Sequence, residues 1–521
     1  MTEVMSFIDG RRVKGGDATL TRRCPANHDR LVADVALADA DTYVEACRVA
    51  RAAQPGWRDV PAPVRGTVIR RLGRLIEDNK EALARIMVTE IGKPIVEARG
   101  EVQEAIDTCD VFLGEGRRPS GHTVPSEMPD KHLFTYRRPV GVVAVTTAGN
   151  FPTAVPSWYL VPALLCGNAA VWKPAEYAAR TAAAFTELFV AAGVPAGVLN
   201  LVVADGPTTE EGLTRALDEG LVDKVGFTGS VEVGRRLGRL AGEHLQTACL
   251  ELGGKNPLVV MDDADLELAV EGALFSGFGT AGQRCTSLGT AIVHRAQHGK
   301  FLERLEERLM ASIIGDPCQE DVLYGPMIDE RFAERFLGWF DHIADHHTVS
   351  GSTGTGRISA DNPRENFAGD AERGLYMHPT IVDGVRPGDV LYEQETFGPI
   401  IGVTAFDDLD EAIALSNGHG YGLSAAIYTR DPATVFTFRE RNSAGMLSVN
   451  NSTSGAEAHL PFGGDGKSGN GSRQSGQWVL EQFTRWQSMN WDHSGSFQRA
   501  QMDVADLAGD PTFRLADIED D

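Results

Sequence analysis

Positive charge is scarce in this sequence. Its 49 lysine and arginine residues stand against 73 aspartate and glutamate residues, which gives a formal net charge of −24 at pH 7. That charge repels nucleic acid and anionic membrane surfaces, so neither is an expected partner. A small diffusible ligand is favoured instead.

Paired-cysteine motifs and an apolar N-terminal run are also missing. The seven cysteines are an odd number with no CxxC or metal-ligand spacing, which suits a reducing compartment. The opening residues, MTEVMSFIDGRR, hold no apolar core long enough for a signal peptide. These absences predict a cytoplasmic protein without a disulfide framework.

One long stretch, from Pro139 to Trp172, lacks charge altogether. It is long enough to span a bilayer, but internal prolines and asparagines interrupt it repeatedly. We predict a buried strand, turn and helix here, with a membrane-embedded helix as the alternative.

What the sequence does have is a regular alternation of short apolar runs and helix-like segments. At 521 residues it is too long for a single core and should form two or three domains. Apolar residues three and four apart predict helices over 55–115, and β-branched runs at 141–147, 169–174, 198–204 and 224–229 predict strands. Helix-like segments lie between these runs, an order typical of a parallel α/β sheet with right-handed crossovers.

Three further segments complete the expected layout. Residues 120–141 are polar, contain proline and end in an aromatic alternation, which predicts a hairpin outside the sheet. A second αβ region follows from about 256 to 465, with an exposed glycine-rich loop at 351–374. After 483–491 the tail becomes acidic and loses its periodicity.

The strongest chemical signal is a cysteine downstream of a glycine-braced glutamate. Cys285 lies in AGQRCTS (281–287) and Glu251 in LELGGKNP (250–257). A thiol among polar neighbours, in a chain with such a carboxylate, is a candidate nucleophile with a candidate base. The alternative is that Cys285 is one more inert buried thiol.

Weaker signals accompany this pair, and each has a purely structural alternative. The turn GFTGSVEVG (226–234) suits a phosphate at a helix N-terminus, although its spacing is not GxGxxG, and a plain tight turn is the alternative. Lys173 and Glu176 follow a strand, where they either reach a ribose or phosphate or belong to a solvated loop. Asn150 is either an oxyanion donor or a turn cap.

Two other groups carry less information. Glu395 and Phe397 precede a Gly-Pro turn, which is more often architecture than chemistry. His342, His346 and His347 have a helical spacing that would suit a metal, but no partner motif accompanies them. We expect an exposed helix end there and no metal.

The motifs NFP, WKPAE, GFTGS, ELGGKNP, GQRCT, EQETFGP and PFGG occur in the order found in the aldehyde dehydrogenase superfamily. The sequence resembles that family from about residue 8 to residue 492. The resemblance implies an α/β fold with a Rossmann-type NAD-binding domain (1–118 and 141–253), an αβ catalytic domain (254–465) and a small β oligomerisation hairpin (119–140 and 483–500). The hairpin would join protomers into homodimers or homotetramers, and an acidic tail, 501–521, follows.

The resemblance also implies which residues act. Cys285 matches the nucleophile, Glu251 the base of the hydrolytic step and Asn150 an oxyanion donor. The matching cofactor residues are Lys173 and Glu176 for the adenosine ribose, Gly229, Ser230 and Gly234 for the phosphates, and Glu395 and Phe397 for the nicotinamide end. The implied reaction is NAD-dependent oxidation of an aldehyde to its acid through a thiohemiacetal and a thioester on Cys285. NAD is expected over NADP because Glu176 would repel a 2′-phosphate, whereas Lys173 alone would suit either cofactor.

Within the family, GEVQEAIDTCD (100–110), GQRCT and SGAE (454–457) resemble the branch of α-aminoadipate semialdehyde (piperideine-6-carboxylate) dehydrogenases. The substrate residues implied are Arg284 for a carboxylate, Glu104 for an α-amino group, and Ala456. In the alternative, Arg284 pairs with a nearby acid and Glu104 is a solvated helix residue. A broad-specificity or 2-oxoglutarate semialdehyde dehydrogenase, a CoA-acylating member and a non-catalytic relative are the other functions left open.

Overall fold

The computed structural model describes residues 3–350, 354–498 and 508–515. Most of the tail segment 501–521 therefore lies outside the described residues. Within the described ranges, none of the helices combines the length and apolarity needed to cross a bilayer. The uncharged segment 139–172 instead forms a strand, a helix and a strand, as the sequence predicts.

Sheet I is the first of two seven-stranded sheets. Its strands, in spatial order, are β12 (Thr247–Glu251), β11 (Lys224–Thr228), β8 (Val142–Thr146), β9 (Ala169–Lys173), β10 (Leu199–Leu201), β2 (Ser6–Ile8) and β3 (Arg11–Val13). The pairs from β12 to β10 are parallel, and β2 and β3 close one edge antiparallel. The four predicted strands are thus confirmed as neighbours in one parallel sheet.

Sheet II is built from the second half of the chain. Its order is β17 (Thr348–Val349), β19 (Thr380–Asp383), β20 (Ile400–Phe406), β14 (Leu288–His294), β13 (Asn256–Val260), β22 (Ser424–Tyr428) and β23 (Met446–Val449). The pairs from β19 to β23 are parallel and β17 is antiparallel. The chain passes from sheet I to sheet II between Glu251 and Asn256, inside the motif LELGGKNP.

Helices cover both sheets. They are α1 (Ala40–Asp59), α2 (Ala62–Asp78), α3 (Lys80–Ile91), α4 (Ile95–Glu115), α5 (Ala154–Leu165), α6 (Ala179–Ala192), α7 (Gly206–Asp218), α8 (Val231–Glu243), α9 (Leu266–Phe278), α10 (Arg295–Ala311), α11 (Glu330–Gly338), α12 (Val390–Glu393), α13 (Leu409–Asn417), α14 (Pro432–Arg441) and α15 (Leu480–Phe483). The predicted helical region begins earlier than expected, because Asp39 caps α1 by accepting a 2.8 Å hydrogen bond from the Thr42 N–H.

Four small sheets complete the fold. The hairpin sheet contains β6 (Thr123–Val124), β7 (Lys131–Pro139) and β25 (Thr484–Asp492). A second small sheet contains β1 (Glu3–Val4), β4 (Thr19–Cys24) and β5 (Asn27–Ala36), and a third contains β15 (Ile313–Gly315), β16 (Val322–Tyr324) and β18 (Phe367–Ala368). The fourth pairs β21 (Tyr421–Gly422) with β24 (Asp465–Gly466). Strand β25 pairs antiparallel with β7 along its whole length. The predicted hairpin excursion is therefore confirmed, and the chain's last strand completes it.

The prediction of an exposed loop at 351–374 is wrong in part. Ile358 is buried, and the Arg364 guanidinium donates a 2.6 Å hydrogen bond to the Leu309 carbonyl. Residues 367–368 add β18 to β15. Glycine and charged residues dominate the composition of this segment, but the buried Ile358 and the hydrogen bond from Arg364 hold it against the second half of the chain.

Candidate active site

A cleft of about 1310 Å³ brings together residues from both halves of the chain. It opens at the carboxyl edge of sheet I, where parallel α/β sheets bind their ligands. The sequence-predicted residues that line it are Asn150, Gly229, Ser230, Arg284, Cys285, Glu395, Phe397, Glu104 and Ala456. Four others, Glu251, Lys173, Glu176 and Gly234, lie behind or beside its walls.

Cys285 sits in a tightly bent loop between α9 and β14. Thr280, Ala281 and Gly282 all have left-handed backbone angles, with φ of 52°, 53° and 67°. For residues with a side chain this conformation costs about 1 to 3 kcal/mol each, and such strain concentrates at functional sites. Gly282 also needs to be glycine because a Cβ there would collide with the Gly398 carbonyl. The loop presents a half-buried thiol to the cleft.

Asn256 fixes this loop to sheet II. Its Nδ2 donates hydrogen bonds of 2.8 Å to the carbonyls of Cys285 and Ser287, and its Oδ1 accepts one of 3.0 Å from the Ser424 N–H. Sequence reasoning gave Asn256 no role, although it lies in the same motif as Glu251. A buried amide next to a candidate base was the signal that would have found it.

Asn150 reaches the same loop from sheet I. It follows β8, and its Nδ2 donates a 2.8 Å hydrogen bond to the Gln283 carbonyl, two residues before Cys285. The amide is buried, and Asn150 lines the same cleft as Cys285. This position fits an oxyanion donor better than a simple turn cap.

A buried ion pair supports the segment that carries Asn150. One carboxylate oxygen of Glu101 accepts hydrogen bonds from the N–H and hydroxyl of Thr153, at 2.7 and 2.9 Å. The other oxygen pairs with Lys93, whose ammonium lies 3.4 Å from the centroid of the Phe151 ring. Glu101 and Lys93 therefore position the Asn150 loop from behind.

We expect Glu101→Gln to lower the free energy of unfolding by about 3 to 5 kcal/mol, because it leaves the buried Lys93 ammonium without a counter-charge. Denaturant unfolding monitored by fluorescence measures the change. Glu104→Gln on the same helix is the matched control, since Oε1 of Glu104 has no hydrogen-bond partner to lose. Equal unfolding midpoints for the two variants would contradict the supporting role of Glu101.

Burial raises the pKa of both the thiol and the candidate base. Burial raises the pKa of Cys285 to about 12, and Glu395 and Glu251 add to the shift. Burial also raises the pKa of Glu251 well above its ordinary value, and Arg473 opposes the shift. Oε1 of Glu251 faces Gly463, where a Cβ would lie 2.6 Å away, and does not reach the cleft. To activate water beside Cys285, the Glu251 side chain has to rotate away from Gly463.

The turn after β11 has the form of a phosphate-binding site. Gly229 and Ser230 line the cleft at the start of α8, and the Ser230 hydroxyl accepts a 3.4 Å hydrogen bond from the Val233 N–H. The N–H groups of the first helical turn suit the phosphates of a dinucleotide. Gly234 lies one turn further on and packs against Leu252, so its lack of a side chain serves helix packing. The resemblance had placed Gly234 in the phosphate turn itself.

Lys173 and Glu176 are paired at the end of β9. The Lys173 ammonium lies 3.4 Å from Oε2 of Glu176, and both side chains are largely buried. This excludes the solvated-loop alternative. The adjacent Tyr177 lines the cleft, so the pair stands beside it.

At the opposite end of the cleft, Arg284 pairs with Glu97 and lies 4.6 Å above the Phe275 ring. Pairing with a nearby acid was the alternative left open for Arg284, and this pairing is present through its Nη2. For Glu104 the solvated alternative is wrong. Its Oε1 is buried without a hydrogen-bond partner, and burial, with Glu101 adding to it, raises the pKa of Glu104 to about 8.

His346 and His347 share one acid, while His342 lines the cleft. Nε2 of His346 lies 3.1 Å and Nε2 of His347 2.9 Å from the same oxygen of Asp389. Nδ1 of His347 accepts a hydrogen bond from the Ala344 N–H, so Nε2 carries the proton that a metal would have to replace. These contacts describe a histidine–carboxylate pair, and we assign no metal to it.

Two wound sheets with a thiol, an amide and a phosphate-type turn in one cleft define an α/β nucleotide-dependent enzyme. The aldehyde dehydrogenase family model matches residues 13–489, so this chain belongs to the aldehyde dehydrogenase family. The members of that family are oxidoreductases that act on aldehydes.

Curated relatives cover most of the chain. An alpha-ketoglutaric semialdehyde dehydrogenase of Bacillus subtilis is 34% identical over 92% of this chain and 96% of its own length. An alpha-aminoadipic semialdehyde dehydrogenase of Bos taurus is 35% identical, over 94% and 88%. An NADP(+)-type succinate-semialdehyde dehydrogenase of Escherichia coli is 36% identical, over 88% and 91%.

Solved structures confirm the fold. A putative aldehyde dehydrogenase from Burkholderia cenocepacia superimposes with a TM-score of 0.89 at 31% identity, covering 96% of this chain and 99% of that one. Betaine aldehyde dehydrogenase from Staphylococcus aureus, solved in complex with NAD+, gives a TM-score of 0.89 at 28% identity, with 95% of each chain covered. The predicted fold class is therefore correct.

Proposed function

We propose that this protein oxidises an aldehyde to its carboxylic acid with NAD, through a thiohemiacetal and then a thioester on Cys285. The observation that carries this proposal is the half-buried Cys285 thiol on a strained loop, whose Gln283 carbonyl accepts a hydrogen bond from the buried amide of Asn150. The Cys285 thiol gives its proton to water, the thiolate attacks the carbonyl carbon, and Asn150 with the Cys285 N–H holds the oxyanion. Glu395 and Phe397 line the cleft and would hold the nicotinamide end of a bound cofactor, which would supply the hydride acceptor.

Glu251 completes the cycle in this proposal. Rotated from Gly463 toward the thioester, it removes a proton from water, and the hydroxide displaces the Cys285 thiolate from the acyl carbon. The acid is released and the thiol is restored. In this division of the chain, 1–118 and 141–253 bind the cofactor and 254–465 carry the nucleophile.

The test is NADH formation from a panel of aldehydes, followed at 340 nm with and without coenzyme A. We expect turnover without coenzyme A and the same rate with it. Turnover only with coenzyme A would assign the acyl group to a thiol acceptor. A purified, folded protein that forms no NADH from any aldehyde would overturn the function.

For the substrate, we propose a semialdehyde that carries both a carboxylate and an amino group, such as α-aminoadipate semialdehyde. The cleft wall on α4 holds four acids, Glu97, Glu101, Glu104 and Asp107, against which the structure sets Lys93 and Arg284. Two of these acids are paired, and Glu104 is a buried acid in need of a donor. An ammonium group donates a hydrogen bond to the Glu104 carboxylate, whereas the 2-oxo group of 2-oxoglutarate semialdehyde has no hydrogen to donate to it.

Arg284 would bind the carboxylate of the same substrate. Its Nη2 and Nε contact Glu97 and Thr280, and we assign its Nη1 to the substrate. Ala456, also on the cleft wall, leaves room beside it.

We expect Glu104→Gln to raise the KM for α-aminoadipate semialdehyde by about 10- to 100-fold, the effect of losing one charge-assisted hydrogen bond. The KM for 2-oxoglutarate semialdehyde should change by less than about threefold. Because the pKa of Glu104 is raised to about 8, its carboxylate form becomes more populated as pH rises from 7 to 8. The wild-type KM for the amino substrate should therefore fall over that interval, and the variant's should not. Equal effects on the KM of both substrates would indicate that Glu104 has only a structural role.

The hairpin sheet is the proposed oligomer interface. Tyr136, Trp486, Met489 and Trp491 are large apolar side chains left exposed on it. We propose a homodimer or homotetramer joined through this sheet, in the cytoplasm, where the seven free thiols would stay reduced. Light scattering of the purified protein tests the assembly.

A further inference from the structure

The carboxylate expected to select NAD is bound by a cation on each oxygen. The Lys173 ammonium contacts Oε2 of Glu176, at 3.4 Å. Nη1 and Nη2 of Arg331 both lie 3.3 Å from Oε1. Lys173 ends a strand of sheet I, while Arg331 comes from α11, 155 residues after Glu176 in the sequence. The Glu176 side chain is therefore one place where the two halves of the chain are in contact.

Arg331 is anchored through its backbone N–H and its Nε, while its side chain as a whole is largely exposed. Asp329 accepts hydrogen bonds from Nε and the backbone N–H of Arg331, at 3.0 and 3.2 Å. Asp329 is itself held by the buried Arg22, whose Nη1 lies 2.8 Å from it. The Arg331 side chain is nonetheless 62% exposed, and its two contacts with Glu176 are long. A guanidinium held in this way can exchange one anion for another nearby.

The carboxylate of Glu176 faces two cations, Lys173 and Arg331. Arg22 pairs with Asp329 and also faces Glu90, and Asp205 is a further acid near Lys173. The expectation that Glu176 would repel a 2′-phosphate considered only the two residues of the WKPAE motif. Arg331 adds a positive charge that offsets this repulsion.

The geometry points to Arg331 as a residue that determines cofactor specificity and admits NADP as well as NAD. With a ribose 2′-hydroxyl, Arg331 stays on Glu176 and Lys173 faces the hydroxyl. With a 2′-phosphate, the Arg331 guanidinium turns onto the phosphate, as a planar fork matched to its oxygens. The inference rests on the proposed function only for the position of the adenosine ribose beside Glu176.

The test uses adenosine fragments of the two cofactors and needs no turnover. Calorimetry measures the Kd of 2′,5′-ADP and of 5′-AMP for the wild-type protein, Arg331→Gln and Arg304→Gln. Arg304→Gln is the matched control, because Arg304, on α10, is also a partly exposed arginine that pairs with a glutamate, Glu267. Arg331→Gln should weaken 2′,5′-ADP by about 10- to 100-fold and 5′-AMP by less than about threefold, and Arg304→Gln should change neither.

The kcat/KM for NADP relative to NAD should fall by the same factor in Arg331→Gln. Wild-type protein that binds 5′-AMP but not 2′,5′-ADP, or a variant that loses both ligands equally, would overturn the inference while leaving NAD-dependent oxidation untouched. Conversely, the expected Kd pattern in a protein that oxidises no aldehyde would remove the proposed function and keep the role of Arg331. The preference for 2′,5′-ADP should also weaken as salt is raised, because the contact is made at a largely exposed guanidinium.

Discussion

Cys285→Ala will lower aldehyde oxidation by a factor of about 10⁴ or more and leave the Kd for NAD within about threefold of wild type. Without the sulfur no thiohemiacetal forms, so hydride transfer has no tetrahedral intermediate to start from. The small, half-buried side chain should contribute little to the affinity for a cofactor that, in our proposal, is held mainly by the turn at Gly229 and the end of β9. Steady-state NADH formation and calorimetric titration of NAD measure the two effects on one protein sample.

Cys318→Ala is the matched control, because Cys318 is an exposed thiol elsewhere in the chain. It should keep wild-type turnover. The raised pKa of Cys285, about 12, adds a second readout. Alkylation by iodoacetamide in the absence of cofactor should accelerate about tenfold per pH unit from pH 7 to 10, since only the thiolate reacts. Normal turnover in Cys285→Ala would end the case for this nucleophile.

Glu251→Gln should separate the two halves of the reaction. Hydride transfer precedes the step that needs a base, so about one NADH per active site is expected as a burst. The steady rate that follows should fall by about 10²- to 10⁴-fold, because an amide cannot take the proton from water. Rapid mixing with excess aldehyde records the burst and the steady phase in one trace.

Glu303→Gln, at an exposed position on α10, serves as the control and should show no burst beyond that of wild type. Acid quenching of the Glu251→Gln reaction should trap an acyl adduct whose mass is found on the peptide containing Cys285. An unchanged steady rate would assign the base to another group. Absence of the burst would place Glu251 before hydride transfer instead.

Local periodicity predicted most of the fold, because strands of sheet I and the helices between them are each continuous in sequence. The strand runs at 141–147 and 224–229 are buried and β-branched, and they became neighbours in one parallel sheet. The motif order also found the residues of the cleft. Cys285 and Asn150 could be named from the sequence because each stands in a short motif with its own glycine or proline.

What the sequence did not predict are contacts between distant charged residues. Glu97 and Arg284 are 187 positions apart, and Glu176 and Arg331 are 155 apart. Each was visible only as a single charged residue, and its partner depended on how the two sheets meet. The orientation of the Glu251 side chain was also unpredictable. Whether it points into the cleft or toward Gly463 depends on desolvation and on the space available, and the sequence motif specifies neither.

The crossing from sheet I to sheet II lies between Glu251 and Asn256. It divides the residues of the candidate active site between the two halves of the chain as well as dividing the fold. A chimaera joined at this crossing would take Asn150, Glu176 and Glu251 from one parent and Cys285 and Arg331 from the other. Grafting a relative's cofactor domain to change coenzyme preference would thus also replace Asn150, the proposed oxyanion donor, and Glu251, the proposed base. Parents for such recombination have to be matched at the residues that meet across the cleft, whatever their overall identity.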